Sequence, residues 1–359
     1  MIIGTCGFGS TGSSVITDYL KEFDGVTVKD DLEFTYVSAV DGLTYLERDI
    51  MNPLGRTAGS ITGIMRFRDL VQKKKYVYER HGLSAEIFTR SAEQFIDAIT
   101  MAKWYWYDGR VRSRSKLEYY FKLLIKKKFI PWLEKRKGDR VNIWPKVEVR
   151  LSALPNNFYE AARNHVNDLL RGMGLDPLGT IVLDQPFSGS NPQACFPFFN
   201  DPYAIVVDRD PRDNYVFAKT MLKGEYFSPI DVDNFIAYYR CLRDNRPYKQ
   251  PDPRILVIRF EDMIYEYDAT TKRVRDFLHL PENPHPRSVF DPNLSIANTQ
   301  VFRRYPQFAN DIKKIENALP EYLFDFSKYD EDPTKKRMFS GKSPLHKNFN
   351  TRYWQRNNS

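Results

Sequence analysis

The sequence predicts an α/β fold: a parallel sheet flanked by helices in three layers, interrupted by a large helical insertion. Two stretches and one overall pattern predict it. Residues 1–20, MIIGTCGFGSTGSSVITDYL, pass from a short apolar run through a glycine-rich turn into an apolar-periodic segment. Residues 203–217, YAIVVDRDPRDNYVF, repeat that change from strand to helix, with Asp210 a natural N-cap and Pro211 a natural first helical residue. Elsewhere short apolar runs alternate with longer helical segments, the pattern of a parallel sheet with crossover helices.

The elements follow in order. Met1–Cys6 is the first strand, an apolar run that leads into the glycines. Val15, Ile16, Tyr19 and Leu20 define a helix over 14–22, and Val26–Lys29 reads as the second strand. Residues 40–175 carry almost no strand signal. They read as a helical insertion that shapes the acceptor site, with helices over 85–101, 115–132 and 156–173. The sheet resumes with Thr180–Leu183, Ala204–Asp208 and Ile255–Arg259, and the accompanying helices cover 211–222, 232–243 and 269–278. A helix over 307–324 precedes a basic tail, 331–359, expected as a loop over the site or a loose terminus. Residues 1–330 thus form a single domain in this reading.

The 359 residues, 42% hydrophobic and 14% aromatic, supply ample core. No apolar run reaches the roughly eighteen residues of a membrane span. The first strand begins at residue 2 with no basic leader, so the chain is expected in the cytoplasm. Cys6, Cys195 and Cys241 are scattered and suit reduced packing residues. The five histidines form no metal-spaced pair, and no metal is expected. The net charge of +8 concentrates between Lys103 and Lys146, where fourteen Lys or Arg meet four Asp or Glu among many aromatics. Leu117, Tyr120, Phe121, Leu124 and Ile125 recur there at helical spacing, ahead of Lys126, Lys127 and Lys128. The segment fits a solvated basic helix, a surface for a polyanionic glycan, or peripheral contact with an anionic membrane. No nucleic-acid module surrounds it, and nucleic acid is not expected as a partner.

The chemistry sits in the first loop. Gly9, Ser10, Thr11, Gly12, Ser13 and Ser14 lead into a helix N-terminus, where consecutive N–H groups and the helix dipole suit a phosphate-like anion. Gly7-x4-Gly12-Ser13-Ser14 keeps the Walker spacing GxxxxGK[ST], but Ser13 stands where the lysine belongs. A nucleotide triphosphatase would keep that cation, so the loop reads as a phosphate cradle without ordinary ATP chemistry. Arg209 ends a strand beside a helix N-terminus, on the edge where open parallel sheets bind ligands, and offers a phosphate a fixed fork of donors. Glu261-Asp262 follows another strand and reads as a structural, ion-paired feature.

In order along the chain, GFGSTGSS, VVDRDPRDNY and ILVIRFEDMIYEYDATTKRVRDFLHL resemble the sulfotransferases that use 3′-phosphoadenosine-5′-phosphosulfate (PAPS). The first is similar to the family's 5′-phosphosulfate loop, and the second to the strand-turn-helix whose arginine holds the 3′-phosphate. The third is similar to a later strand, Glu-Asp pair and helix; residues 40–175 take no part. The resemblance implies a P-loop-like sheet in which Gly9 to Ser14 cradle the 5′-phosphosulfate and Arg209 holds the 3′-phosphate. It implies PAPS as co-substrate and a hydroxyl acceptor, here a carbohydrate. The family's glycan-modifying branch commonly places a glutamate base after the second strand, which implies Glu33 first and Asp31 second. Two positions depart from the pattern. Ser10 replaces a lysine or arginine that assists the departing oxygen, and Phe217 replaces a serine on the 3′-phosphate. Lys219, Arg337 and Lys342 are candidates to make up the missing donors. Two other readings stand beside this one: a P-loop small-molecule phosphotransferase using ATP and Mg²⁺, and a non-catalytic nucleotide- or glycan-binding relative.

Overall fold

The computed structural model describes residues 1–52, 58–107, 120–121, 123–137, 146–221, 230–244, 252–329 and 332–336. Among them the strands are β1 (Ile2–Gly7), β2 (Val26–Glu33), β3 (Ala102–Tyr107), β4 (Lys146–Leu151), β5 (Thr180–Asp184), β6 (Pro202–Asp208) and β7 (Ile255–Arg259). Five of these form an all-parallel sheet in the order β2-β5-β1-β6-β7, while β3 and β4 pair antiparallel by themselves. The helices are α1 (Ser14–Leu20), α2 (Leu43–Met51), α3 (Ala58–Glu79), α4 (Ala85–Ile99), α5 (Ile130–Lys137), α6 (Phe158–Gly172), α7 (Pro211–Met221) and α8 (Val232–Asp244). After β7 come α9 (Phe260–Tyr265), α10 (Tyr267–Leu278), the short α11 (Pro292–Ser295) and α12 (Ala309–Ala318).

Side chains alternate across a strand, so each sheet face has its own core. Ile2, Cys6, Ile181, Leu183, Ala204 and Val206 pack on one face against α2, α3, α4 and α6. Ile3, Val182, Ile205, Val207 and Ile258 pack on the other against α1, α9 and α10. The result is the expected three-layer α/β architecture. Strands buried on both faces explain why the sheet segments read as continuous apolar runs. A third cluster joins Tyr215 and Val216 of α7 to Phe235 and Tyr239 of α8 and to Ile312 and Ile315 of α12.

The chain leaves β1 towards β2 and leaves β6 towards β7, in opposite directions across the sheet. That reversal opens a crevice outside the carboxyl ends of the adjacent strands β1 and β6. The glycine loop and Arg209 both stand there.

Several expectations need correcting. The insertion is not purely helical, because β3 and β4 lie within it. Their period-two alternation (Trp104 and Trp106; Val147 and Val149) is that of a strand, although the segment's overall composition reads as helix. The described part of the expected helix 115–132 has a π turn over Ile125–Phe129 and continues through α5 to Lys137. β2 extends four residues past Lys29 and ends at Glu33. The helix expected over 307–324 is confined to α12, because Pro320 lacks an N–H and restricts Leu319. Cys6 and Cys195 are core residues, but Cys241 is exposed on α8. Of the tail, residues 332–336 are described: Arg304 donates to the carbonyls of Pro333 (2.5 Å) and Lys336 (2.7 Å). Among the described residues no helix is long and apolar enough to cross a membrane.

Candidate active site

Backbone conformation makes the loop. Gly9 (φ 86°), Ser10 (φ 55°) and Gly12 (φ 84°) all adopt the left-handed region, which curls the chain between β1 and α1. A Cβ on Gly12 would lie 2.6 Å from the Phe260 ring, so glycine is required there sterically as well. The Thr11 hydroxyl accepts the Phe8 N–H at 3.3 Å and closes the turn. The loop after β5 crosses close by: a Cβ on Gly189 would come within 2.3 Å of the Gly7 carbonyl oxygen.

Asn214, on α7, donates through Nδ2 to the carbonyls of Gly9 (3.0 Å) and Ser10 (3.2 Å). Arg209 Nη1 donates to the same Ser10 carbonyl at 3.4 Å. In a trans peptide the C=O and the following N–H point in opposite directions. Pinning these two carbonyls therefore turns the N–H groups of Ser10 and Thr11 away from Asn214 and Arg209, as successive donors. Among the described residues the amides of Gly9 to Ser13 have no hydrogen-bond acceptor. This is the backbone geometry of a nest at the N-terminus of α1, a shape that suits an anion. The Ser13 hydroxyl, at the position of the missing lysine, accepts from Gln185 Nε2 at 2.9 Å.

Arg209 stands beneath the loop, 4% exposed. Its Nη2 donates to the Asn298 carbonyl at 2.5 Å, and its guanidinium lies over the rings of Phe260 (4.9 Å) and Phe217 (5.2 Å). The aromatic ring of Phe217 thus takes up the flat face of the arginine. Arg209 Nε is buried with no partner among the described residues. The end of β6 is locked from α8: Arg243 holds Asp208 through Nη2–Oδ1 (2.5 Å) and Nε–Oδ2 (2.9 Å), and the Tyr239 hydroxyl donates to the Arg209 carbonyl at 2.7 Å.

Asp210 caps α7 as expected, its Oδ1 accepting the Arg212 N–H at 2.8 Å. Glu261 does not form an ion pair among the described residues. Its Oε1 accepts the Asp210 N–H at 3.0 Å, and burial, reinforced by the Asp210 charge, pushes its carboxyl up to about 8. Asp262 accepts the backbone N–H of Arg259 at 3.3 Å. Burial also raises Asp213 to about 6, against the pull of Arg209.

Of the two expected bases, Asp31 is held in a cluster with Lys29 Nζ (3.0 Å) and His81 Nδ1 (3.4 Å). Glu33 is exposed at the end of β2, yet partial desolvation raises its carboxyl against the opposing charge of Lys74. Its register partner is Asp184, at the end of β5. Burial, reinforced by Glu33 and Asp30, pushes Asp184 up to about 8, while a hydrogen bond from Thr5 opposes the shift. β2 and β1 flank β5, so Glu33 ends two strand spacings from the loop strand, about 10 Å.

Asp184, Gln185 and Asn214 were not among the expected site residues. Lys219, a candidate to replace missing donors, is directed elsewhere, to the Ile230 carbonyl and the Tyr215 ring. Arg337 and Lys342 lie outside the described residues. Among the described residues no group of three or more His, Cys, Asp or Glu side chains is arranged to hold a metal ion.

No family model and no curated protein matches this chain. Among solved structures it is similar to a sulfotransferase domain from the curacin biosynthetic pathway, at 13% identity over 90% of this chain and 98% of that one, with a TM-score of 0.37. It is also similar to sulfotransferase STF9 from Mycobacterium avium, at 11% identity over 92% of this chain and 77% of that one, with a TM-score of 0.36.

Proposed function

We propose that this chain is a sulfotransferase that moves a sulfonate group from PAPS to a hydroxyl of an acceptor, specifically a carbohydrate. One observation carries the reading: the Gly9 and Ser10 carbonyls are tied by Asn214 and Arg209, which turns the loop amides to the opposite side, with no acceptor among the described residues. That arrangement fits the 5′-phosphosulfate. The lysine missing at Ser13 counts against a triphosphate. Arg209 keeps its Nε–H and one further hydrogen on each Nη as donors for the 3′-phosphate.

The chemistry asked of the protein is mostly placement and electrostatics. Glu33 takes the proton of the acceptor hydroxyl as that oxygen bonds to sulfur. The S–O bond to the 5′-phosphate breaks, and adenosine 3′,5′-bisphosphate leaves. The amides of Ser10 and Thr11, the Ser13 and Ser14 hydroxyls and the dipole of α1 hold the oxygens on which charge develops. Asp184, raised to about 8, holds its own proton below that pH and so adds little negative charge beside Glu33. Asp31 is the second candidate base, and its pairing with Lys29 and His81 makes it the weaker one.

One observation favours the phosphotransferase alternative. Asp184 ends the strand next to the loop strand, where a carboxylate could meet a metal-bound water. Its raised pKa and the absent lysine count against that role. The test is to incubate the protein with PAPS and a panel of glycans and measure adenosine 3′,5′-bisphosphate. Acceptor-dependent release supports sulfonate transfer, whereas ATP turnover that needs Mg²⁺ would replace it with phosphoryl transfer. Bisphosphate binding without turnover on any acceptor would leave the non-catalytic relative.

A further inference from the structure

We propose that the β3–β4 and α5 region is a peripheral docking surface for an anionic lipid bilayer. Two kinds of side chain are combined there. Tyr105, Trp106, Phe121, Leu124, Phe129 and Trp132 are all exposed, Trp106 at 60%, Phe121 at 64% and Trp132 at 53%. Soluble proteins seldom present large apolar side chains in such numbers over so short a span without a partner surface. Lys127, Lys128, Lys135 and Arg136 are exposed among them, and the surrounding sequence carries the chain's excess of positive charge.

Rings and cations are arranged together. Phe129 and Trp132 stack at 5.8 Å, and the Arg136 guanidinium lies 5.6 Å from the Trp132 ring. Tryptophan, phenylalanine and leucine beside lysine and arginine are the composition of a segment seated in the headgroup layer. The strand pair is also firmly mounted. Arg150 of β4 pairs with Glu148 (2.7 Å) and Asp97, and Arg68 of α3 pairs with Glu93 (2.6 Å), which ties the strand pair to α3 and α4.

A soluble polyanion is the competing occupant, and the surface suits it less. Leu124 and Met101 offer a sugar chain nothing to bind. Two cavities, of about 550 and 220 Å³, lie elsewhere and are lined by no residue between Met101 and Leu151. Positive charge draws the surface to anionic headgroups, and the rings then enter the interface.

The experiment is sedimentation of the full chain with vesicles of phosphatidylcholine alone and with 30% phosphatidylserine. Wild type, Phe129→Ala/Trp132→Ala and Lys127→Glu/Lys128→Glu are compared, with circular dichroism as a check on folding. The proposal expects binding only to the anionic vesicles, with a blue shift of tryptophan emission. It expects at least a tenfold loss in each double variant, at least about fivefold for each lysine replaced. Absence of vesicle binding, or an aromatic double variant that binds as wild type does, overturns it. So does retention by heparin without vesicle binding, or a dimer dispersed by the aromatic substitutions in a protein that vesicles do not bind.

Discussion

Asn214 donates to the carbonyls of Gly9 and Ser10, which lie 205 and 204 residues earlier in the chain, at 3.0 and 3.2 Å. The first turns of α7 thereby set the direction in which the glycine loop presents its amides. The helix does not touch the ligand in this account; it orients the groups that do.

Asn214→Leu removes both bonds and leaves the Gly9 carbonyl without its donor, while the Ser10 carbonyl keeps only Arg209 Nη1. A lost partner of this kind costs about 1–3 kcal/mol. Denaturant unfolding should record that loss, and calorimetry should show adenosine 3′,5′-bisphosphate binding weakened at least tenfold. Unchanged bisphosphate affinity in a folded variant would mean that the carbonyl ties do not organise the site.

Gly12→Ala and Gly82→Ala separate sterics from backbone strain. Both glycines have positive φ, 84° and 95°, but an added Cβ meets Phe260 at position 12 and open space at position 82. The second variant should lose about 1–2 kcal/mol, the conformational term alone. The first should lose more and should no longer bind the bisphosphate. Equal midpoints in urea for the two variants would contradict the packing assigned to Phe260.

Ser10 is a non-glycine residue held in the left-handed region. Ser10→Gly relieves that conformation and should stabilise the fold by up to about 1 kcal/mol. Bisphosphate affinity should stay within about threefold, because the Ser10 amide, and not its hydroxyl, is the donor. A loss of tenfold or more would assign the hydroxyl a direct contact.

Glu261 is an acid whose folded-state pKa is raised to about 8, so the folded chain holds its proton more tightly than the unfolded chain does. Its stabilising contribution is present below the ordinary glutamate range and is lost as pH rises from there through about 8. Asp184, also raised to about 8, acts in the same direction. The melting temperature should therefore fall between pH 5 and 8.5. Glu261→Gln keeps an oxygen for the Asp210 N–H and removes the titration, so its curve should be flatter and its melting temperature a few degrees higher than wild type at pH 8.5. Parallel curves for the two proteins would rule out a buried neutral Glu261.

Much of this geometry was legible in local sequence. The central strands β1, β5 and β6 show themselves as apolar runs because both faces are covered, and Asp210-Pro211 announces α7 by capping chemistry alone. The β3–β4 pair was missed although Lys146–Leu151 alternates strictly, because its neighbours carry helical spacing and a strong charge. The helix over 307–324 was overextended because a repeating apolar pattern outweighed Pro320. Asn214, Gln185 and Asp184 were invisible for a different reason. Their importance comes from which strands lie side by side and from contacts across some two hundred residues, and no local pattern encodes that. Arg209 was legible by position, but its burial between Phe217 and Phe260 was not. The phenylalanine that breaks the expected phosphate contact is the residue that holds the arginine flat.

The most direct test of the central claim, a cradle for a nucleotide phosphorylated at both ends, is a thermal-shift titration with adenosine 3′,5′-bisphosphate and with ATP–Mg²⁺, on wild type and Arg209→Ala. At a hundred times its Kd the bisphosphate should add about 2.7 kcal/mol of stability to wild type. The account predicts that shift, a much smaller one with ATP–Mg²⁺, and its loss in Arg209→Ala. A larger shift with ATP–Mg²⁺ than with the bisphosphate, or none with the bisphosphate, would contradict it.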